Sequence, residues 1–312
     1  MTVEQHPDRL PPERREDLDR ARRLEWWTIT WMISVIAVVG VTMQSSQAMR
    51  TAWIEDLLSL VPPAVFLLAA RLERRPADAR FPFGYQRVNS LAFMIAAVAL
   101  ASVGAFLLFE AASTLLLRER VTIGLVTIFG WEVWAGWLMI AALAYSVVPP
   151  VILGRKKLPL ARALQDKVLH TDAMMNKADW MTGLAGIVGI VGLGLGFWWA
   201  DALAAGFISF DILRDGVRAI RVATAELVDG APRALEDDRV AEDAEALRAS
   251  LAARYPGAEI RMRETGRYIR VVVDGAERPA SEPPDALWPR EPERSWRLAE
   301  VAFKPGGGAG SA

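Results

Sequence analysis

Residues 88–109, VNSLAFMIAAVALASVGAFLLF, form a run of 22 residues without a single charged side chain. A helix needs about 20 apolar residues to cross the hydrocarbon core of a bilayer. This stretch is therefore predicted to be a membrane-spanning helix. Five further apolar stretches predict a bundle of six transmembrane helices; they occupy residues 27–49, 51–70, 133–154, 172–199 and 201–220.

The composition supports a membrane protein and excludes several kinds of site. Hydrophobic residues make up 53% of the 312 residues, and the mean hydropathy is +0.21, which is high for a soluble domain. The chain has no Cys and only two His, His6 and His170, so disulfides, thiolate metal sites and His-rich metal sites are excluded. A net charge of -1 gives no basic character for nucleic-acid binding.

The basic residues are distributed unequally between the predicted loops. Cytoplasmic loops of membrane proteins carry an excess of Lys and Arg. The loops after the second and fourth stretches each carry five of these basic residues and are predicted to be cytoplasmic. This places both termini in the cytoplasm of a multi-pass protein of a bacterial inner (cell) membrane. Those loops contain Arg71, Arg74, Arg75, Arg80, Arg87, Arg155, Lys156, Lys157, Arg162 and Lys167.

From about residue 223 the hydropathy drops and a soluble module is predicted. Helical spacing over 239–255 is followed by alternation typical of a β-hairpin over 259–275, and 296–303 is a predicted last strand. A domain this small gains stability from self-association. The predicted divisions are a cytoplasmic tail 1–24, a transmembrane domain 25–222, a cytoplasmic α+β dimerisation domain 223–304 and a flexible tail 305–312.

Several polar residues interrupt the second and fifth apolar stretches. Each charged group inside a membrane costs about 2.5–3.5 kcal/mol on insertion scales, so each needs a reason. Residues three or four apart share a helix face, so each stretch presents a stripe of oxygen atoms, and facing stripes would form a cation site. The predicted metal ligands are Glu55, Asp56, Ser59, Asp172, Asn176 and Asp179.

Such a site predicts exchange of a metal against protons. All-oxygen coordination favours Mn²⁺- or Fe²⁺-type cations over Zn²⁺, although Zn²⁺ also accepts carboxylates. A metal must displace protons from the carboxylates it binds. The prediction is therefore efflux of a divalent cation (Mn²⁺, Fe²⁺, Co²⁺ or Zn²⁺) driven by inward proton movement, with no permanently bound cofactor.

A second interpretation gives these polar residues no role in transport. Glu55, Asp56 and Asp172 would lie near helix ends and face lipid headgroups, and Lys177 would neutralise a nearby Asp. For Asp179 this interpretation is weaker, because the residue falls well inside the predicted span. His170, Glu110 and Glu132 are expected at the membrane interface.

Three segments carry a family resemblance. RLERRPADARFPFGYQRVNSLA (71–92) precedes and opens the third stretch; TDAMMNKADW (171–180) with WWADALAA (198–205) covers the fifth and the start of the sixth; AELVDGAP (225–232) enters the soluble module. Their sequence and order resemble the cation diffusion facilitator family. The resemblance implies a six-helix, homodimeric metal–proton antiporter with a cytoplasmic ferredoxin-like domain.

The chain departs from the metal motif of that family. The family has Asp-x-x-x-Asp on the second helix and His-or-Asp-x-x-x-Asp on the fifth. Ungapped matching places Glu55 and Ser59 on the first pair and Met175 and Asp179 on the second. Asp179 alone keeps the family's residue. Asp56 and Asn176, as neighbours, are expected to compensate.

Two functions from different classes follow. The first is a proton-coupled divalent-cation exporter. The alternative is a transport-inactive relative that serves as a membrane scaffold or partner subunit. A membrane enzyme is disfavoured because the sequence shows no nucleophile–base pair and no cofactor motif.

Overall fold

The computed structural model of this protein describes most of the chain. The described residues are 3–4, 10–42, 47–117, 124–128, 131–197, 199–277, 287–289 and 292–305.

Long helices dominate the region before residue 228. The second predicted stretch forms two consecutive helices, and the described residues of the other five stretches lie mainly in α1, α4, α5, α6 and α7. The helices are α1 (Pro12–Thr42), α2 (Gln47–Leu58), α3 (Val61–Leu72), α4 (Arg87–Leu117), α5 (Ala135–Leu164), α6 (Lys167–Gly194) and α7 (Ala200–Leu227).

Three of these helical stretches are long and apolar enough to cross a membrane: Trp53–Leu72, Arg87–Leu117 and Ala135–Leu164. This assignment concerns the described residues and rests on length and composition. Helix α6 carries Asp172 and Asp179 among its apolar residues, which lowers its hydropathy. Three spans are therefore supported, and the six-span bundle stays a prediction.

The predicted length of the loop after the fourth stretch is wrong. Residues 155–164 are the last turns of α5, and only Gln165 and Asp166 connect α5 to α6. Lys and Arg are good helix formers, so an α-helix continues beyond the apolar run that predicted it. Gln165 adopts a left-handed conformation with φ of 49° and reverses the chain direction.

The two Pro-Pro pairs have different structural effects. Pro62–Pro63 occupies the first turn of α3, after the turn at Ser59 and Leu60 that ends α2. Proline is tolerated there because the first-turn N–H groups have no helical partner. Pro149–Pro150 instead lies inside the continuous helix α5.

Helices α4 and α7 approach each other closely at two glycines. A Cβ atom on Gly104 would lie 2.4 Å from the backbone nitrogen of Leu213. A Cβ on Gly216 would lie 2.5 Å from the backbone of Ala101. Small residues permit this spacing, as in other membrane helix pairs.

The C-terminal domain confirms the predicted helix, hairpin and last strand. It contains α8 (Glu242–Arg254), β4 (Glu259–Thr265), β5 (Tyr268–Asp274) and β6 (Leu298–Lys304). Strand β1 (Val3–Glu4) joins the same sheet, whose order is β1-β6-β5-β4. The β4–β5 and β1–β6 pairs are antiparallel and the β5–β6 pair is parallel. Leu247 and Leu251 of α8 pack against this sheet.

A short hairpin separates α4 from α5. Strand β2 (Leu125–Ile128) pairs antiparallel with β3 (Trp131–Trp134). Glu132, predicted at the membrane interface, is an exposed residue of β3.

The tip of the β4–β5 hairpin contacts the helical region directly. Gly266 has a φ of +60°, and its N–H donates to Ser90 Oγ of α4 at 3.0 Å. A Cβ at this position would lie 2.9 Å from the carbonyl oxygen of Gln86. The turn therefore requires glycine both for its backbone conformation and for the space next to α4.

Gly266→Ala is expected to lower the midpoint of thermal unfolding in detergent by more than Gly257→Ala does. Gly257 also has a positive φ, +85°, but has open space around its Cα. Both variants carry backbone strain of about 1–2 kcal/mol, and only Gly266→Ala adds a clash with α4. Equal midpoints for the two variants would show that the hairpin tip does not pack as described.

Candidate metal site

A hydrogen bond joins the α2–α3 pair to α6 at the centre of the predicted site. Ser59 Oγ donates to Asp179 Oδ1 at 2.8 Å. Ser59 is buried, and its backbone N–H bonds to the carbonyl of Glu55 at 3.0 Å, so both residues lie on one face of the α2–α3 unit. Two residues that sequence matching aligned with the family motif are therefore in direct contact.

Glu55 is a buried carboxylate of α2. It is 8% exposed, and its Oε1 has no hydrogen-bond partner among the residues that the structure describes. Asp179 and Asp56 are the acidic groups that act most strongly on it, and Thr182 of α6 lies beside its carboxylate. Among the described residues, no Lys or Arg forms an ion pair with Glu55 or Asp179. A buried oxygen without a donor is a ready acceptor for a proton or a metal cation.

Asp56 lies next to this pair and is half-buried. Its charge acts on both Glu55 and Asp179. The charge of Asp56 is therefore felt at both carboxylates, but its side chain is not placed with theirs around one metal position. The repulsion between these acidic groups would be relieved by a proton or a cation beside them.

Asp172 and Asn176 make different contacts. Lys157 of α5 forms an ion pair with Asp172 and another with Glu25 of α1, the latter at 2.8 Å. The amide of Asn176 donates to the backbone carbonyl of Asp172 at 2.8 Å. Lys157 and Glu25 are 0% exposed and Asp172 is 1% exposed. The structure thus divides the six predicted ligands into a group around Asp179 and a group around Lys157.

Within the described part of the chain, no three or more His, Cys, Asp or Glu residues are placed to hold a metal ion together. The group around Asp179 would have to complete its coordination with the Ser59 hydroxyl, backbone oxygens or water. The ligand set stays a prediction.

Met175, which matches the family's first position on the fifth helix, is fully buried in an apolar cluster. Leu100 and Val103 of α4 and Ile212 of α7 belong to the same cluster. A thioether packed among aliphatic side chains fills space and is a poor ligand for hard cations.

The remaining polar residues lie outside the group around Asp179. Lys177 pairs with Asp211 of α7 at 3.6 Å. The second interpretation of the sequence expected Lys177 to neutralise a nearby Asp. His170 is half-buried beside Thr171 and Asp215. Glu110 is half-buried on α4 and its charge acts on Glu55.

The PADARFPFGYQR segment connects α3 to α4, and hydrogen bonds to Asp78 stabilise its conformation. Asp78 Oδ1 accepts the backbone N–H groups of Arg80 and Phe81 at 2.8 and 2.7 Å, and Tyr85 donates to Asp78 Oδ2. These hydrogen bonds hold the pKa of the Asp78 carboxyl below its ordinary value, and the bond from the Phe81 N–H has the largest effect. Arg87, which ends the segment, pairs with Asp229 of the VDGAP segment.

Sequence reasoning missed Glu25 and Lys157 as buried partners. Lys157 was counted among loop residues that set the orientation, and Glu25 precedes the first apolar stretch. The sequence signal that could have identified Lys157 is its spacing, since it lies fifteen residues before Asp172 in a helix–turn–helix. Only the antiparallel packing of α5 on α6 shows that the two residues meet.

Apolar helices around buried acidic residues define a polytopic membrane protein with an internal acidic site. Comparison with known proteins gives the family: residues 26–228 match the cation efflux transmembrane domain. The chain belongs to the cation diffusion facilitator family of membrane cation transporters.

Several curated bacterial proteins are similar to this chain. The manganese efflux system protein MneS of Bacillus subtilis is 22% identical over 64% of each chain, slightly less than two thirds of its own length. The putative transporter MamV of Paramagnetospirillum magneticum is 27% identical over 80% of this chain and 69% of its own. A probable cation efflux system protein of Mycobacterium tuberculosis is 25% identical over 76% of this chain and 67% of its own.

Lys157→Met is expected to destabilise the protein by about 3–5 kcal/mol, because it leaves Glu25 and Asp172 buried without a cation. The readout is the midpoint of thermal unfolding in detergent. The matched control is Lys156→Met, which removes an exposed lysine from the same helix turn and should leave the midpoint nearly unchanged. Similar midpoints for both variants would contradict the buried ion pairs.

Proposed function

We propose that this protein exports a divalent metal cation in exchange for protons, with Glu55, Ser59 and Asp179 at the centre of the transport site. The observation that carries the proposal is the Ser59–Asp179 hydrogen bond, together with a buried Glu55 oxygen that no described residue hydrogen-bonds. Buried acids that lack a basic partner are expensive in a membrane, and a function that uses them accounts for their presence.

The same oxygens serve metal and proton. Carboxylates without a fixed cation bind either ligand, so a metal that enters must displace protons and a proton that enters must displace the metal. Asp56 adds a third acidic group to this competition. Asp172 is excluded from the proposed site because Lys157 already compensates its charge.

The proposed cargo is a Mn²⁺- or Fe²⁺-type cation. The site offers carboxylate and hydroxyl oxygens, and the family's His-or-Asp position is occupied by the packed Met175. Zn²⁺ favours imidazole and thiolate ligands, which the site lacks. Similarity to a protein named as a manganese efflux system supports the same preference.

The proposed topology has six spans with both termini in the cytoplasm. Pairing of β1 with β6 supports the placement of both ends of the chain on one side, since Val3 lies opposite Val301. The excess of basic residues on that side supports the cytoplasm. The C-terminal α+β domain is proposed to be ferredoxin-like and to form a homodimer.

A transport-inactive scaffold is the second candidate. It is favoured by the lack, among the described residues, of a group of three or more His, Cys, Asp or Glu placed around one metal ion. Flux measurements separate the two candidates, because a scaffold shows no transport for any cation.

In proteoliposomes with an imposed pH gradient, the protein is expected to transport Mn²⁺ or Fe²⁺ faster than Zn²⁺, because its site is built from oxygen ligands. The measurement is metal flux across a panel of Mn²⁺, Fe²⁺, Co²⁺, Zn²⁺ and Mg²⁺, with pH recorded on the opposite side. Absence of flux for every metal would support the scaffold. Flux without counter-movement of protons would contradict antiport.

Asp179→Asn is expected to reduce flux to the level of empty liposomes, because it removes the charge that faces Glu55 and Ser59. Asp211→Asn is the control: it removes an acid that pairs with Lys177 at the half-exposed surface of α7 and should keep most of the flux. Both variants must elute as monodisperse protein. Retained flux in Asp179→Asn would place the site elsewhere.

A further inference from the structure

We infer that Arg267 is a positioning residue that holds together the two helical units carrying the transport site, at their ends nearest the C-terminal domain. The inference rests on the proposed function for its consequences in transport. Its structural part stands on contacts that involve none of the proposed ligands.

Arg267 connects two carboxylates from different helices. Its Nη1 donates to Glu73 Oε2 at 2.6 Å, and its Nε donates to Asp166 Oδ2 at 2.8 Å. The Arg267 side chain is 0% exposed, and those of Glu73 and Asp166 are 11% and 0% exposed. Charge-assisted bonds of a guanidinium fork are strong and directional.

The two carboxylates belong to the two site-bearing units. Glu73 follows the last residue of α3 as its C-cap, and its backbone N–H bonds to the carbonyl of Ala69 at 2.8 Å. Asp166 caps the first turn of α6, where its Oδ1 accepts the N–H of Leu169 at 2.9 Å. One unit carries Ser59 and the other carries Asp179, so a single side chain links both units of the site.

The charge balance makes the link sensitive to displacement of Arg267. Two carboxylates face one guanidinium, and without it two buried like charges would repel each other. Burial by itself would lower the pKa of Arg267, but Glu73 and Asp166 raise it above its ordinary value, so the residue stays charged. Burial raises the pKa of Glu73 although Arg267 opposes the shift.

The position of Arg267 is set by the C-terminal domain. It follows the hairpin tip, where Gly266 N–H also donates to Glu226 Oε1 of α7 at 3.2 Å. Glu264, at the end of β4, pairs with Lys167 of α6 and with Arg297 at 3.1 Å. Movement of the sheet therefore moves Arg267 relative to both helical units. The spacing of the site-bearing helices is coupled to the C-terminal domain through this residue.

The chain has no cysteine, which allows a direct measurement of the spacing. Spin labels on Arg71→Cys in the last turns of α3 and His170→Cys in the first turn of α6 report the distance between the two helix ends. The test compares Arg267→Met, Arg267→Lys and the control Arg261→Met in the full-length protein. Arg261 lies on the same hairpin and pairs with Asp274 of that hairpin instead of the helices.

Arg267→Met is expected to shift the distance distribution to longer values and to lower metal flux about tenfold, within the range of typical coupling energies. Arg267→Lys keeps the charge without the fork and should give an intermediate distance and flux. Arg261→Met should match the unmutated protein in both. A global loss of folded protein would not produce a longer distance in a monodisperse sample.

Unchanged distances in both Arg267 variants would overturn the inference, even if flux fell. If Arg267→Met fails to fold, Arg267→Lys decides by the same distance criterion. If the unmutated protein transports no metal, the proposed function fails, and the distance measurement still decides whether Arg267 sets the helix spacing.

Discussion

The cost of burying charge in a low-dielectric interior organises this structure. Lys157 compensates Glu25 and Asp172 inside the helical region, and Arg267 compensates Glu73 and Asp166 where the C-terminal domain docks. Each cation bridges elements that are distant in sequence. Buried charges of this kind fix the relative positions of helices because removing one partner leaves the other without compensation.

The acidic groups around Ser59 differ from these compensated charges. Glu55 and Asp179 have no ion-pair partner in the described part of the chain, and one oxygen of Glu55 has no donor. Helix α6 thus carries two aspartates two turns apart with separate roles. Asp172 pairs with Lys157 where α1, α5 and α6 meet, whereas Asp179 is proposed to bind a mobile cation or proton.

Part of the arrangement of the candidate site residues could be predicted from sequence, and part could not. Spacing along one helix placed Glu55 with Ser59 and identified Asp179 as an acid deep in an apolar stretch. Asp172 and Asp179 are two turns apart and lie on nearly the same face of α6, so spacing could not show that Asp172 meets Lys157 of α5 instead of the α2–α3 pair.

The sequence by itself determined the class of protein. Apolar stretches of about 20 residues fit the thickness of a membrane, and a helix satisfies their backbone hydrogen bonds there. It also determined the α8–β4–β5–β6 order of the C-terminal domain, since alternation and turn residues act locally. The tertiary structure alone decided which charges are paired, because Arg267 reaches Asp166 and Glu73 across 101 and 194 positions of the chain. Such pairings depend on how helices pack, and no local pattern encodes them.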